Sequence, residues 1–490
     1  MKNKWLWCLV FLMPGTVHSQ TMKLSLDESI ALAADSSLQA FRTKNQYLSN
    51  YWGFRSFKAE RLPALSLRTT PVEYRRVFTS RYDSENNIDI YRQQRSLYSY
   101  GNLSLSQNLD LTGGTFFIDS ELGFMQSFGG AGNTKQFSSV PIRFGYRQSL
   151  FGFNTFKWSR RIEPVKYEKA KMQYLYTREE ISETAIQYFF ALAMAEMEYN
   201  MALDNVASSD TLYRIGEERY KIASISQADL LTLRLDAVNA RNTLKNEEIN
   251  LKRAMFSFVT FLHLDQHVQV SVELPERPSG IAISSDLAVC YARKNHPDFL
   301  AFKQELLEAE REVDRTKKNS NFNASLSASV GFNQVDDRFQ EAYQHLLQQD
   351  VVSLSLMIPI VDWGVRKGRA KMAYNNLNVA RISVQQKILA LEQNVIMTVD
   401  DFNIQQDMIQ GAEEALKLAT IAYNITRERF IIGKSDLNSL TFALSRQSSA
   451  QRNYISALRN YWLNYYRLRK LTLFDFRNQE ELSVQFDSIL

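Results

Sequence analysis

The chain of 490 residues is poor in nearly everything that interrupts helices or builds a catalytic centre. Its 18 Gly and 9 Pro are each about half of average usage or less, so helix formers must dominate. With 5 His and 2 Cys there is little material for a metal enzyme or a disulfide framework. No stretch approaches the ~20 uninterrupted apolar residues of a membrane-spanning helix. Charge of neither sign prevails: 58 Lys+Arg stand against 53 Asp+Glu, which leaves no basic domain for a phosphate backbone and no nucleic-acid partner. No Ser/His/Asp order, glycine phosphate loop or Cys/His constellation is present. No catalytic residue, cofactor or metal site is expected, and the chain is not read as an enzyme.

Aromatics are plentiful, 30 Phe and 23 Tyr, which excludes a disordered chain. Lys2 and Lys4 precede an apolar stretch from Trp5 to Met13, and Val17 and Ser19 are small residues before Gln20. Residues 1–19 therefore read as a secretory signal peptide, cleaved before Gln20. Cys8 lies inside that segment, so Cys290 would be the single cysteine of the mature chain.

The punctuation is uneven. Nine of the 18 glycines lie between Gly101 and Gly152, while 165–274 and 360–490 contain no proline. Composition thus alternates twice between a short helical opening, a Gly/Ser/Tyr-rich block and a very long helical run. The two halves also match in detail. Leu26, Ala31 and Ala40-Phe41 correspond to Leu287, Ala292 and Ala301-Phe302; Lys169–Tyr174 corresponds to Arg369–Tyr374; Glu218–Tyr220 corresponds to Glu428–Phe430. The expected organisation is a first structural repeat at 20–265 and a second at 284–475. They are joined by a linker at 266–283 that contains the Pro-bearing stretch Glu273–Gly280, and a tail follows at 476–490.

Within the Gly-rich blocks the period is two, as in strands. Phe322, Ala324, Leu326, Ala328, Val330 and Phe332 fall on one face, with Asn and Ser between them. Val352, Leu354, Leu356, Ile358 and Ile360 repeat this against Ser353 and Ser355. Runs of about 10 residues of this kind suit a membrane barrel with a polar lumen, with Leu326, Val330, Leu354 and Leu356 facing lipid. A soluble sheet with one wet face gives the same alternation. The signal segment and the tyrosines Tyr91, Tyr98 and Tyr100 favour the membrane.

The helical runs are too long for a compact domain. Pro164 suits a first helical turn, and periodic sequence continues to about Tyr220, or ~85 Å at 1.5 Å per residue. Its counterpart runs from Arg366 to Phe430, ~95 Å by the same rise. Each then breaks once, where Gly433 can take a left-handed cap and Ser226 or Asp436 can N-cap a returning helix. Each half is therefore expected to form a long helical hairpin, and such hairpins pack side by side. Basic clusters follow the last strand of each half: Lys157, Arg160 and Arg161, then Arg366, Lys367, Arg369 and Lys371. They read either as solvated helix starts or as contacts to lipid headgroups or a cationic ring. His263 and His267 stand four apart around Asp265, but no third ligand of the right kind is near and a helix is ending there.

The openings Leu24–Ala31 and Asn295–Phe299, the Leu62-Pro63 step, the Pro359–Gly364 run and the turn motifs around Tyr220, Ala223, Asp229-Leu230, Phe430, Gly433 and Leu440 follow one another in a definite order. In that order they resemble the TolC-type outer-membrane factor (outer membrane efflux protein) family over nearly the whole mature chain. The resemblance implies a mainly α fold with a membrane β-barrel. Long, duplicated helical hairpins would form a periplasmic α-barrel, and short strand pairs would form a trimeric 12-stranded outer-membrane β-barrel. It implies a passive exit duct of a tripartite efflux or type I secretion system in a Gram-negative-type bacterium. Its partners would be a periplasmic adaptor, an inner-membrane transporter and outer-membrane lipid. Tyr220, Ala223, Ser226, Asp229, Phe430, Gly433, Lys434 and Asp436 would form the periplasmic tip, its gate and the adaptor contact. From the residues themselves, Asp229 is expected to bond Lys434 of a neighbouring hairpin or nearby backbone. A periplasmic coiled-coil adaptor and a stand-alone porin are the competing readings.

Two features depart from the family. Ser439 and Phe442 stand where it often carries aspartates after the second tip. The first strand block also holds an extra hairpin, about 97–111 and 115–125, expected to extend the barrel rim or its loops.

Overall fold

A computed structural model of the chain describes residues 21–129, 132–265, 267–276, 280–320, 322–484 and 486–489. The signal segment at 1–19 and part of the linker, 277–279, lie outside the described residues. Strand β1 (Thr21–Leu24) leads into helices α1 (Leu26–Ser36) and α2 (Leu38–Ala59). Four strands follow: β2 (Ala64–Asp83), β3 (Ile88–Asn108), β4 (Thr115–Gly129) and β5 (Gly132–Ser149). Next come the hairpin α3 (Thr155–Lys221) and α4 (Gln227–Phe261), and the short β6 (Gln269–Val272). The pattern then recurs as α5 (Ser285–Asn295), α6 (Pro297–Asn319), β7 (Asn323–Asp336), β8 (Leu347–Met357), α7 (Val365–Ile431) and α8 (Leu437–Thr472). The strands β9 (Phe474–Asp475) and β10 (Glu480–Glu481) pair near the C-terminus. No described helix is long and apolar enough to cross a membrane.

Caps explain the boundaries. Ser25 and Glu28 close a capping box at the start of α1. The start of α3 is set by Asn154, whose Oδ1 accepts the N–H of Lys157 at 2.9 Å. Pro164 therefore sits inside α3, not in its first turn as expected. The asparagine cap places the helix start nine residues earlier, and the proline removes a single ladder hydrogen bond. Asp362 does the same for α7, accepting from Gly364 at 3.0 Å and Arg366 at 3.2 Å. Both α3 and α7 are 67 residues long, about 100 Å each.

The chain divides into two compact units. The first comprises residues up to 46, 172–296 and 391 onward. Its core is large and aromatic, with Phe189, Phe190, Phe258, Phe402 and Tyr461 fully buried. β1 and β6 pair in parallel there, with Leu24 opposite Val272. Between α3 and α8 this unit also buries charge. Arg469 lies 3.1 Å from both Glu179 and Asp475, and Lys470 lies 2.5 Å from Glu183. Burial pushes the Glu179 carboxyl above its ordinary range, against the pull of Arg469. Burial also disfavours the ionised Asp475, but the Tyr465 hydroxyl, which donates at 2.5 Å, and Arg469 outweigh it and hold that carboxyl below its ordinary value.

The second unit comprises residues 47–171 and 297–390. Helix contacts here include the Phe54–Tyr167 stack, 4.5 Å between centroids, and Trp158 Nε1 donating to Asp314 at 2.8 Å. Its sheet has six strands in the order β2-β3-β4-β5-β7-β8, every neighbouring pair antiparallel. The extra hairpin is thus no rim extension. Leu97–Asn108 belongs to β3, which pairs with β4 on one side and with β2 on the other. The resemblance implied four strands per chain. There are six because β2 and β3 are full members of the sheet.

Replacing Arg469 by Met should leave Glu179 and Asp475 buried without their cation, a change that costs about 3–5 kcal/mol. The midpoint of thermal unfolding of Arg469→Met should fall accordingly. The ionised Asp475 contributes stability that is complete above the unfolded carboxyl value, about 3.9, and is lost as pH falls through its lower folded value. The penalty of the substitution should therefore shrink on acidification. A midpoint equal to the parent at neutral pH would show that the buried pair adds nothing.

Candidate functional site

The two hairpin turns are built the same way, 210 residues apart. At the end of α3, Ala223 has φ +57°, its N–H reaches Tyr220 O at 2.9 Å, and the N–H of Ser224 reaches Arg219 O at 2.8 Å. At the end of α7, Gly433 has φ +79°, its N–H reaches Phe430 O at 3.0 Å, and the N–H of Lys434 reaches Arg429 O at 2.8 Å. Both are Schellman motifs, which satisfy the last helical carbonyls through a left-handed residue. Glycine takes that conformation freely, whereas alanine is strained by it.

The returning helices are capped by side chains. Ser226 Oγ accepts from Asp229 N at 3.1 Å, and Asp229 Oδ2 accepts from Ser226 N at 3.1 Å and Ser226 Oγ at 2.7 Å. Asp436 accepts the N–H of Ser439 at 2.7 Å. That hydrogen bond, with the Ser439 hydroxyl, holds the Asp436 carboxyl below the usual range.

What joins the two turns within one chain is Arg219. Its Nη2 donates to Phe430 O and Ile431 O, 3.0 Å each, and its guanidinium lies 5.5 Å from the Phe430 ring centroid. It thereby satisfies carbonyls at the negative end of α7. Phe430 is 7% exposed beneath it, while the matching Tyr220 is 43% exposed. Within one chain Asp229 does not pair with Lys434; its carboxylate is already engaged by Ser226. In the sequence Arg219 stands out only as a member of the repeated Glu218–Tyr220 motif at the head of the first turn. Its acceptors are backbone carbonyls, which no sequence displays.

The eight turn residues singled out from the sequence fall together here, Tyr220, Ala223, Ser226 and Asp229 on the first turn and Phe430, Gly433, Lys434 and Asp436 on the second. Beside them Ile222 and Ile432 are exposed. His263 and His267 do not share a helix face. His263 is the left-handed residue after α4, with φ +57°, and the N–H of His267 bonds to Asp265.

The sheet presents the other group. Leu326 lies opposite Leu354 and Ala324 opposite Leu356, so these residues share one face; Ser325 with Ser355 and Ser327 with Ser353 share the other. Val330 belongs to the apolar face, opposite Phe144 of β5. Leu354 is 57% exposed and Leu326 half-buried. Ile358 and Ile360, expected to continue this strand, lie beyond its end at Met357. The polar face carries a charged cluster that the sequence reading did not assemble. Arg143 of β5 lies 2.6 Å from both Asp119 and Glu121 of β4, and Ser104 and Asn102 of β3 donate to those carboxylates at 3.0 and 3.1 Å. Period-two alternation in β4 would have placed the two acids together. Of the basic clusters, Arg366 lies 3.5 Å from Asp362, and Arg161 stacks over Trp158 at 4.7 Å.

Residues 290–472 match the family described as outer membrane efflux protein. An uncharacterized protein of Haemophilus influenzae is 23% identical over 243 residues, 48% of this chain and 50% of that one. The chain thus matches about half the length of this curated relative. Among solved structures, the CmeC outer membrane channel of Campylobacter jejuni superposes with a TM-score of 0.67 at 13% identity, over 94% of this chain and 88% of that one. The outer membrane protein VceC of Vibrio cholerae gives 0.63 at 13% identity, over 94% and 97%. The open state of the MtrE outer membrane channel of Neisseria gonorrhoeae gives 0.60 at 12% identity, over 94% and 91%.

The turns can be tested singly. Ala223→Gly should release strain of about 1–2 kcal/mol and Gly433→Ala should introduce as much. In Gly433→Ala the added Cβ also comes within 3.3 Å of Arg219 Nη2. Hydrogen exchange of the Ser224 and Lys434 amides should slow in the first variant and quicken in the second. Identical exchange in parent and variants would show that the left-handed residues do not limit turn stability.

Proposed function

We infer that this chain, which belongs to the TolC-type outer membrane efflux protein family, is the outer-membrane exit duct of a tripartite efflux or type I secretion system. Three copies would assemble with their sheets in the outer membrane and their helical hairpins in the periplasm. They would conduct substrates passively from an inner-membrane transporter engaged through a periplasmic adaptor. The segment 1–19 would direct export and be removed. The repeats at 20–265 and 284–475, the linker at 266–283 and the tail at 476–490 would be the working divisions of the chain.

The observation that carries this reading is a sheet apolar on one exposed face, polar on the other and open at both edges. In hydrocarbon every backbone polar group must be paired, so such a sheet has to close through further copies. Leu326, Val330, Leu354 and Leu356 would face lipid, and the Arg143 cluster would line the lumen. At the periplasmic end the two turns would form the gate. Arg219 would be its main polar connection within a chain, and the exposed Ile222 and Ile432 beside it would meet the adaptor. Opening would require the second turn to move off the guanidinium.

Outer-membrane fractions should contain the protein as a heat-modifiable trimer on gels; a soluble periplasmic monomer would refute the reading. Arg at the bilayer midplane costs about 2–4 kcal/mol in membrane barrels. Leu354→Arg should therefore reduce assembly into the outer membrane far more than Ser355→Arg. Equal losses at both positions would contradict a lipid-facing wall.

Loss of Arg219 should free the Ile431 carbonyl, leave Phe430 O to the Gly433 N–H alone and uncover the Phe430 ring. In planar bilayers Arg219→Ala should give larger or more frequent openings than the parent, and Asp229→Ala a smaller change through its cap alone. Indistinguishable traces for parent and Arg219→Ala would move the gate to apolar packing around Leu230, Ile431 and Ile432.

A further inference from the structure

Among the described residues the sheet leaves one edge of β2 and one edge of β8 unpaired. We propose that β2 of each copy pairs antiparallel with β8 of the next, so that the trimer has a wall of 18 strands, six from each copy, with the β2–β3 hairpin inside the wall. This rests on the trimeric outer-membrane reading above and specifies its subunit joint.

The edge that a four-stranded wall would offer to its neighbour is not free. It belongs to β4, and β3 fills it from Asn108↔Thr115 to Arg95↔Phe128. The added strands also carry the two faces of the rest of the sheet. Leu65 lies opposite Leu105 and Leu67 opposite Leu103, on one face; Ser66 lies opposite Ser104 and Arg68 opposite Asn102, on the other. Asn102 and Ser104 are bonded to Glu121 and Asp119, so the polar face continues unbroken onto the hairpin. A rim or loop would need no such patterning.

The closing geometry follows from the register. Stepping straight across the sheet from Ala64 leads through Ser106, Phe117, Gly145 and Ser329 to Val351. β2 begins shortly after α2 and β8 ends shortly before α7, so the two edge strands run in opposite directions. Bringing Ala64 level with Met357, the last residue of β8, requires a stagger of six residues from Val351. That is one residue per strand. Eight strands with a shear of eight have the same ratio and tilt by about 36°, inside the roughly 35–45° range of outer-membrane barrels. Because six is even, the faces stay in phase across the joint. Leu65 meets Leu356, Ser66 meets Ser355 and Leu67 meets Leu354, along Ala64–Thr70 and below the bulge between Thr70 and Glu73. Barrel diameter grows about linearly with strand number, so the lumen would be about half as wide again as that of 12 strands.

The joint can be trapped in the full-length protein in outer membranes, with the exposed Cys290 replaced by Ser to remove background. The pair Ser66→Cys with Ser355→Cys, treated with a short thiol-to-thiol cross-linker, should give covalent dimers and trimers on denaturing gels; either cysteine alone should not. The pair Thr115→Cys with Ser355→Cys reports the four-stranded alternative and should stay monomeric under the same treatment. Cross-linking through Thr115 instead of Ser66, or through neither in a protein that still migrates as a native trimer, overturns the 18-strand wall. Electron cryo-microscopy of the parent trimer gives a second readout: 18 strands in the wall support the joint, and 12 refute it. Absence of a trimer from the outer membrane would instead overturn the exit-duct reading itself.

Discussion

A backbone amide or carbonyl in hydrocarbon has no water to turn to, and leaving it unpaired costs several kcal/mol. For a membrane-embedded sheet, that constraint governs this molecule. In the exit-duct reading it requires the sheet to be continued by other copies, and it makes the number of strands per chain a property of the assembly. It also explains why β2 and β3 repeat the apolar and polar faces of β4, β5, β7 and β8. A strand added to a membrane wall must satisfy lipid on one side and water on the other.

The helices answer the same requirement differently, by pairing within themselves except at their ends. Those ends are where the sequence is most careful. Asn154 and Asp362 begin the long helices, Schellman turns at Ala223 and Gly433 finish them, and Ser226 and Asp436 start the returning ones. Arg219 then takes two carbonyls of the opposite hairpin. A single side chain thus couples the turns through groups that every helix leaves over.

Much of the fold was legible because it rests on periodicity. Ser and Leu alternate at 325–327 and 353–356, and the structure pairs them in register. The long helical runs showed in the lack of proline and glycine, and the turns in the positions of Gly433 and Ser226. Other features were hidden for physical reasons. Pro164 looked like a helix start because its missing N–H is harmless there, but Asn154 offered a stronger cap upstream. The role of Arg219 depends on backbone acceptors across 211 residues of chain. The place of β3 depends on which neighbour completes each edge, and alternation by itself does not name the neighbour.

The equal length of α3 and α7 has a consequence for stoichiometry. Each chain offers two turns of the same construction, so the proposed trimer would present six docking places of two kinds, three of each. They are quasi-equivalent. One carries Tyr220 and a strained alanine, the other the buried Phe430 and a relaxed glycine. A partner that recognises the shared Schellman geometry can occupy all six, while one that senses the aromatic residue fills half of them first. Its titration then has two phases of equal amplitude, set by a helix repeated in length and varied at its end.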